Sequence, residues 1–419
     1  MFSHLIFLIL AVSLITFANG LPLPLWVTST GFTVAWGACA YFLLLILIYW
    51  QGQGRLLTKG EAYVLVQVEL LGFLALFLFA LGGNALFFPL LTLNALLNLL
   101  LYFGGMALFY YSWAQKEGES LPQLTASQQI RLTFPFVVPF ILFLAMVDLL
   151  NYLPALSENS GLLWILEIVF LILTLLFLPC LLIAVWQCVP MQDQILKARL
   201  EKVCDTAGFK HGGILDWTLL NRSHTAAILG ILPSFRYILF TKGLQKELSP
   251  ESLEAVLAHE IGHSAHRHLL LYPWIFLGVV VLTTLYTLLI GSPLEENYLQ
   301  SPFYPFLLFL PYALILWFYF RYIFGFFSRL FERQADLHCF ALKIPADHMI
   351  HALDDIAKAT GFTHSAPNWH HHSIQDRIDF LEKAKKNPNL ITHHHRLVNV
   401  ALLIYTAILL GGFYLMENL

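Results

Sequence analysis

Long apolar runs broken by short polar stretches fill the first half of the chain, whereas polar positions gather after residue 190. A bilayer core about 30 Å thick takes roughly 20 apolar residues as helix. By that measure nine segments read as membrane spans, near 4–18, 26–49, 63–82, 88–112, 133–150, 162–187, 269–291, 303–325 and 397–416. The first is short and lacks a basic start, and Ala18-Asn19-Gly20 behind it gives the lesser alternative, the cleavage site of a removed leader. Three polar residues inside spans, Glu69, Asn94 and Asn98, are expected to line a wet cavity, because intramembrane polar groups usually face a bundle interior or water.

Basic residues set the orientation. Arg55 and Lys59 follow the second span, Lys116 and Arg131 the fourth, and Lys197, Arg199 and Lys202 the sixth. The opposite loops, near 19–25, 83–87, 151–161 and 292–302, carry neither Lys nor Arg. Basic loops stay cytoplasmic, so the polar region after the sixth span is expected on the cytoplasmic side.

In that region the period changes. Gln194–Ala207 reads as an amphipathic helix, and Gly212–Trp217, Thr225–Ile231 and Phe235–Thr241 read as short strands broken by turn residues. Ser249 then caps a helix that starts at Pro250, carries Glu251 and Glu254 at its positive end, and buries Leu253, Val256, Leu257 and Ile261.

Composition sharpens this picture. The chain of 419 residues is 58% apolar and 12% charged, and only 11 of its 49 charged residues lie before residue 191. That excludes a soluble enzyme and a disordered chain, and a net charge of -3 offers no basic surface for nucleic acid. The fold class expected is therefore mainly α, a multi-pass membrane protein of about nine transmembrane helices with a small α+β domain on the cytoplasmic side. Five cysteines without a CxxC spacing support neither a disulfide framework nor a thiolate metal site. Histidine is the outlier, since 16 of 17 follow residue 210.

Two of these histidines carry chemistry. In His259-Glu260-Ile261-Gly262-His263 the imidazoles stand four apart on one helix, share a face, and can reach one metal, with Glu260 placed to act on the water that a zinc ion would acidify. A third ligand is supplied best by Glu332, on a polar helix that begins at a membrane edge, and Asp336, one turn on, suits the other ring nitrogen of a ligand histidine. The two-span hairpin between them returns Glu332 to the same side of the membrane. About six residues separate His263 from the following span, so at 1.5 Å per residue the metal is expected roughly 10 Å from the membrane surface.

The run from Leu248-Ser249-Pro250 to His263, two spans, and then Ser328-Arg329, Glu332 and Ala335-Asp336 resemble the membrane zinc metallopeptidases that include HtpX and the CAAX prenyl proteases, gluzincins of the HExxH and ExxxD pattern. The resemblance covers roughly residues 192–385. It implies one zinc ion per chain on His259, His263 and Glu332, Glu260 as general base and Asp336 behind a ligand. His371 to Arg377 resembles the HPxxxxR element, which implies that His371 and Arg377 help hold the substrate and the oxyanion. Ser223 to Gly230 resembles the edge strand laid beside the substrate backbone, which implies Thr225, Ala226 and Ala227 as substrate-binding residues. Thr225 stands where the family usually has Asn, and His372 where it has Pro.

The expected organisation is a transmembrane bundle over residues 1–190, a zinc peptidase domain over 191–396 interrupted by the hairpin at 269–325, and a final transmembrane helix over 397–419. The expected activity is endopeptidase hydrolysis of membrane-associated proteins at the cytoplasmic face of a bacterial inner membrane, with the lipid bilayer as the other partner. A transporter or scaffold that keeps a non-catalytic zinc site is the alternative reading. His266 and His268 are expected at the interface, and His393-His394-His395 as a polar belt at the headgroups.

Overall fold

The computed structural model describes residues 2–18, 27, 29–54, 57–87, 90–153, 160–298, 301, 304–360 and 372–419. Among them seven helices are long and apolar enough to cross a membrane: Thr30–Gln53, Lys59–Ala80, Leu91–Lys116, Gly161–Val185, His268–Glu295, Phe306–Ala341 and Asn389–Asn418. Pro122–Phe136 and Val138–Asn151 make an eighth only as a pair bent by 48°. Pro135 and Pro139, on either side of the bend, each lack the N–H that would carry a straight helix through it. The chain is thus the mainly helical multi-pass protein expected, with seven or eight candidate spans among the described residues where about nine were expected. The first apolar segment forms the helix Phe2–Ala18, which at 17 residues is shorter than the seven spanning helices. Its Leu8, Ala11, Leu14 and Ile15 are buried in a protein core.

The chain divides into two compact units, one of Met1–Thr174 with Tyr298–Ala313, the other of Leu175–Asn297 with Leu314–Leu419. In the first, helices α1 (Phe2–Ala18), α2 (Thr30–Gln53), α3 (Lys59–Ala75), α4 (Leu91–Lys116), α5 (Pro122–Thr133) and α6 (Val138–Asn151) pack around Leu70, Leu74, Leu78 and Phe109, all fully buried. Its polar residues are used in this packing. Asp148 of α6 accepts the N–H groups of Leu91 and Thr92 at 2.9 and 2.8 Å, satisfying donors that the first turn of α4 cannot use internally. Asn98 is fully buried and donates to the Asn94 carbonyl at 2.8 Å, Asn94 donates to the Asn84 carbonyl at 3.1 Å, and Glu69 accepts from Gln51 at 2.5 Å. These bonds account for the asparagine face as core structure, where a wet lining was expected. The helix Ser160–Val185, α7, follows.

The second unit opens on a four-stranded sheet of β1 (Cys188–Pro190), β2 (Gly213–Trp217), β3 (Ala226–Leu229) and β4 (Tyr237–Phe240) in the order β1-β2-β4-β3. β2 runs parallel to β4, and the other two pairings are antiparallel, which leaves β3 at an edge. β1 is absent from the expected strands because it follows directly on an apolar helix, where no change of period marks it. Helix α8 (Gln194–Thr206) and helix α9 (Pro250–Ala265) cover the sheet around Leu200, Ile238, Phe240 and Leu257. Arg199 of α8 donates to Glu254 at 2.7 Å and to Glu251 at 2.8 Å, so the acidic first turns of α9 also tie it to α8. Then come α10 (His268–Tyr286), α11 (Tyr304–Phe318), α12 (Gly325–Asp336), α13 (Ala346–Thr360), α14 (Ile374–Lys386) and α15 (Asn389–Asn418).

Candidate active site

Helix α9 begins as its sequence dictates. Ser249 accepts the Ser252 N–H at 3.1 Å, Pro250 occupies the first turn, and Leu253, Leu257 and Ile261 face the core. His259 and His263 therefore share a face, and the Nε2 atoms of their rings come within 3.2 Å of each other. Gly262 sets what lies opposite. A Cβ at this position would fall 2.8 Å from the His338 Cβ and 3.0 Å from the Ala335 Cα, so α9 and α12 cross here with backbone nearly against backbone. That close crossing delivers Glu332. Its carboxylate oxygens lie 3.7 Å from His259 Nε2 and 3.5 Å from His263 Nε2, and a ligand atom from each of the three residues falls within a 4.8 Å cluster.

Both imidazoles have their Nδ1 engaged elsewhere, which leaves each Nε2 aimed at the cluster. His259 Nδ1 lies 2.8 Å from Asp336 Oδ1, and His263 Nδ1 lies 2.9 Å from His268 Nδ1. Two imidazole nitrogens and a carboxylate are the donor chemistry of a zinc site, and the orientation of both rings fits one. Asp336 in turn takes two bonds from Arg377, from Nε at 2.9 Å and from Nη2 at 2.6 Å, while Arg377 Nη1 stands 4.0 Å from Glu332. Beside these carboxylates the guanidinium is held firmly protonated, the burial that opposes its charge being outweighed by Asp336 first and then Glu332 and Glu260. Glu260 shares this enclosure. Burial raises its carboxyl above the ordinary carboxylate range, and the neighbouring His259 and His263 oppose that shift.

The structure thus brings together His259, Glu260, His263, Glu332, Asp336 and Arg377. Ala226 and Ala227 lie on the edge strand β3, which packs against α9, and Thr225 just precedes it, its N–H donating to the Thr241 hydroxyl at 3.2 Å. His371 lies outside the described residues. His268, expected at the interface, is instead fully buried, with its ring stacked on Phe331 at 4.3 Å. His394 is also buried, its Nε2 lying 3.0 Å from the Leu330 carbonyl, so the C-terminal histidine run is partly internal. The spacing of His268, five residues beyond His263, gave no helical signal for this contact, because the helix breaks between them at Arg267 with φ of 59°.

The model of peptidase family M48 matches residues 190–385, the stretch that holds His259, Glu260, His263, Glu332, Asp336 and Arg377. CAAX prenyl protease 1 of Saccharomyces cerevisiae is 34% identical over 118 residues, which are 27% of this chain and 24% of that protein. The match thus spans about a quarter of that relative's length. The crystal structure of S. mikatae Ste24p is similar in fold, with a TM-score of 0.54 at 18% identity over 84% of this chain and 97% of that one. With its apolar helices and its His-Glu cluster inside the matched region, the chain is similar over residues 190–385 to peptidase family M48 and in fold to a membrane protein of that kind.

Proposed function

We propose that this protein is a zinc-dependent endopeptidase that hydrolyses membrane-associated proteins at the cytoplasmic face of the bilayer. The observation that carries the reading is the placement of Glu260 beside a three-residue donor set, His259, His263 and Glu332, with no fourth side chain among the described residues in that cluster. Such a set is open, as catalytic zinc sites are, whereas structural sites are usually closed by four protein ligands. When bound, zinc supplies Lewis acidity, which acidifies water and polarises a peptide carbonyl.

The remaining chemistry falls to the chain. Glu260, with a carboxyl made more basic by burial, takes the proton of the attacking water and returns it to the leaving amine. Asp336 orients His259, and Arg377, anchored to Asp336, adds positive charge where the oxyanion develops, together with His371. The free edge of β3 receives an extended substrate beside Thr225, Ala226 and Ala227. His268 opens one apolar spanning helix five residues after His263, and Glu332 lies on the continuous helix Phe306–Ala341, which supports a site at the membrane edge. The cytoplasmic side is supported by the loops 81–90, 152–160 and 296–305, which carry no Lys or Arg, while 186–267 carries nine such residues and 342–388 six. In this organisation a bundle over residues 1–190 and a last helix over 397–419 flank the peptidase region at 191–396.

The test is the Glu260→Gln protein, purified in detergent and assayed for zinc content and peptide cleavage. It is expected to keep zinc and to lose about 10²- to 10⁴-fold in rate. Cleavage at the wild-type rate would sink the assignment.

A further inference from the structure

The two candidate zinc histidines are backed by different chemistry. Behind His259 stands a carboxylate. Behind His263 runs a chain of uncharged groups: His263 Nδ1 is 2.9 Å from His268 Nδ1, His268 Nε2 is 3.0 Å from Gln334 Oε1, and Gln334 Nε2 is 2.8 Å from His395 Nδ1. If His263 gives Nε2 to zinc, as the proposed function requires, its proton sits on Nδ1 and must be donated to His268. His268 then carries its own proton on Nε2 and donates it to the Gln334 carbonyl oxygen. The Gln334 amide donates in turn to His395, which accepts at Nδ1. Every bond in the series runs in one direction, and each member has one compatible tautomer or orientation.

Several features build this chain into the fold. His268 is fully buried and stacked on Phe331, so its ring has no alternative partner in water. Arg267 adopts the left-handed conformation, φ 59°, which a non-glycine residue takes at some cost, and the turn it makes brings His268 back to His263. His395 lies on α15, and its neighbour His394 reaches the Leu330 carbonyl at 3.0 Å, so the C-terminal spanning helix is bonded twice to α12, the helix that carries Glu332.

We propose that His268, Gln334 and His395 are positioning residues, an uncharged hydrogen-bond relay that holds His263 in its zinc-ligating tautomer and couples the C-terminal membrane helix to the metal centre. An uncharged acceptor fixes the ring without adding another negative charge to a pocket that already holds Glu260, Glu332 and Asp336 against Arg377.

The experiment measures zinc affinity by chelator competition, and melting of the zinc-free protein, for the full chain in detergent. His268→Leu is expected to weaken zinc binding about 10- to 100-fold in protein that stays folded without zinc, and His268→Asn, which restores an acceptor, to recover most of the loss. His395→Leu is expected to weaken zinc binding less, and the double variant to be no worse than His268→Leu alone. Wild-type affinity in His268→Leu would overturn the relay, and fully additive losses would overturn the coupling to α15. Should the leucine protein fail to fold, Gln334→Leu and His395→Leu carry the test, and unchanged zinc affinity in both overturns the proposal. A wild-type protein that binds no zinc while Glu332→Ala behaves identically would sink the functional reading itself, an outcome distinct from zinc binding that is indifferent to His268.

Discussion

Asp336 Oδ1 stands 2.8 Å from His259 Nδ1, although the residues are 77 apart in the chain, and Arg377 closes on the same carboxylate with two nitrogens. One buried aspartate thus holds two partners: the ring of His259, a candidate zinc ligand, and a buried guanidinium whose charge it neutralises. Asp336→Ala is expected to weaken zinc binding about 10- to 100-fold. It also leaves Arg377 buried without a partner, which costs about 3–5 kcal/mol of stability. The double variant Asp336→Ala with Arg377→Ala should recover part of the stability and none of the zinc affinity, as melting and chelator competition would show. Equal melting of the single and double variants would contradict the pairing.

Gly262 is expected to tolerate no side chain. Alanine there would drive its Cβ against the Ala335 backbone and the His338 Cβ, so α9 and α12 must separate. Overpacking of this kind costs about 1–3 kcal/mol. The separation also moves Glu332 away from the histidines, so Gly262→Ala should lose zinc affinity along with stability. A protein with wild-type melting and zinc binding would show that the crossing is looser than described.

In the other unit, Asp148 is expected to matter for stability alone. Replacing it with leucine strands the two N–H groups of Leu91 and Thr92 at the start of α4. Each buried donor left without a partner costs about 1–3 kcal/mol. Asp148→Leu should melt lower in detergent, Asp148→Asn should fall between, and folded samples of both should bind zinc like wild type.

Acid is expected to destabilise the protein through His266. Burial, and then the nearby His395, His338, His263 and His394, lower its pKa from 6.5 to about 4. Above pH 6.5 the folded and unfolded states both hold it neutral, and nothing is gained or lost. As the pH falls from 6.5 towards 4 the unfolded chain takes up a proton that the folded one refuses, so stability declines across that window. Melting temperature followed against pH should fall less steeply in this range for His266→Gln than for wild type. Parallel profiles would exclude the effect.

Much of this was legible in residue spacing because the interactions are local. Two histidines four apart on a capped helix must share a face, and apolar runs of about 20 residues must find a bilayer or a core. Counting spans went less well at the two places where length alone misleads. The first apolar segment is short and buried in protein, and the segment near Pro135 and Pro139 is bent. Glu332 and Asp336 were singled out by the two-span hairpin that returns them to the side of His259 and His263, since an isolated pair of carboxylates on a helix reads as a solvated face.

What the residues pointed to by themselves is the class of chemistry: a chain with membrane-spanning helices, a candidate His-Glu donor set, and a glutamate between the two histidines as the candidate base. Which groups stand behind those donors was decided only by tertiary structure. His268, Gln334 and His395 meet across separations of 66 and 61 residues, through a break at Arg267 and a helix crossing that only Gly262 permits. Hydrogen bonds between distant segments leave no period in a sequence, so the histidines expected at the membrane interface are partly internal, bonded behind the candidate zinc ligands.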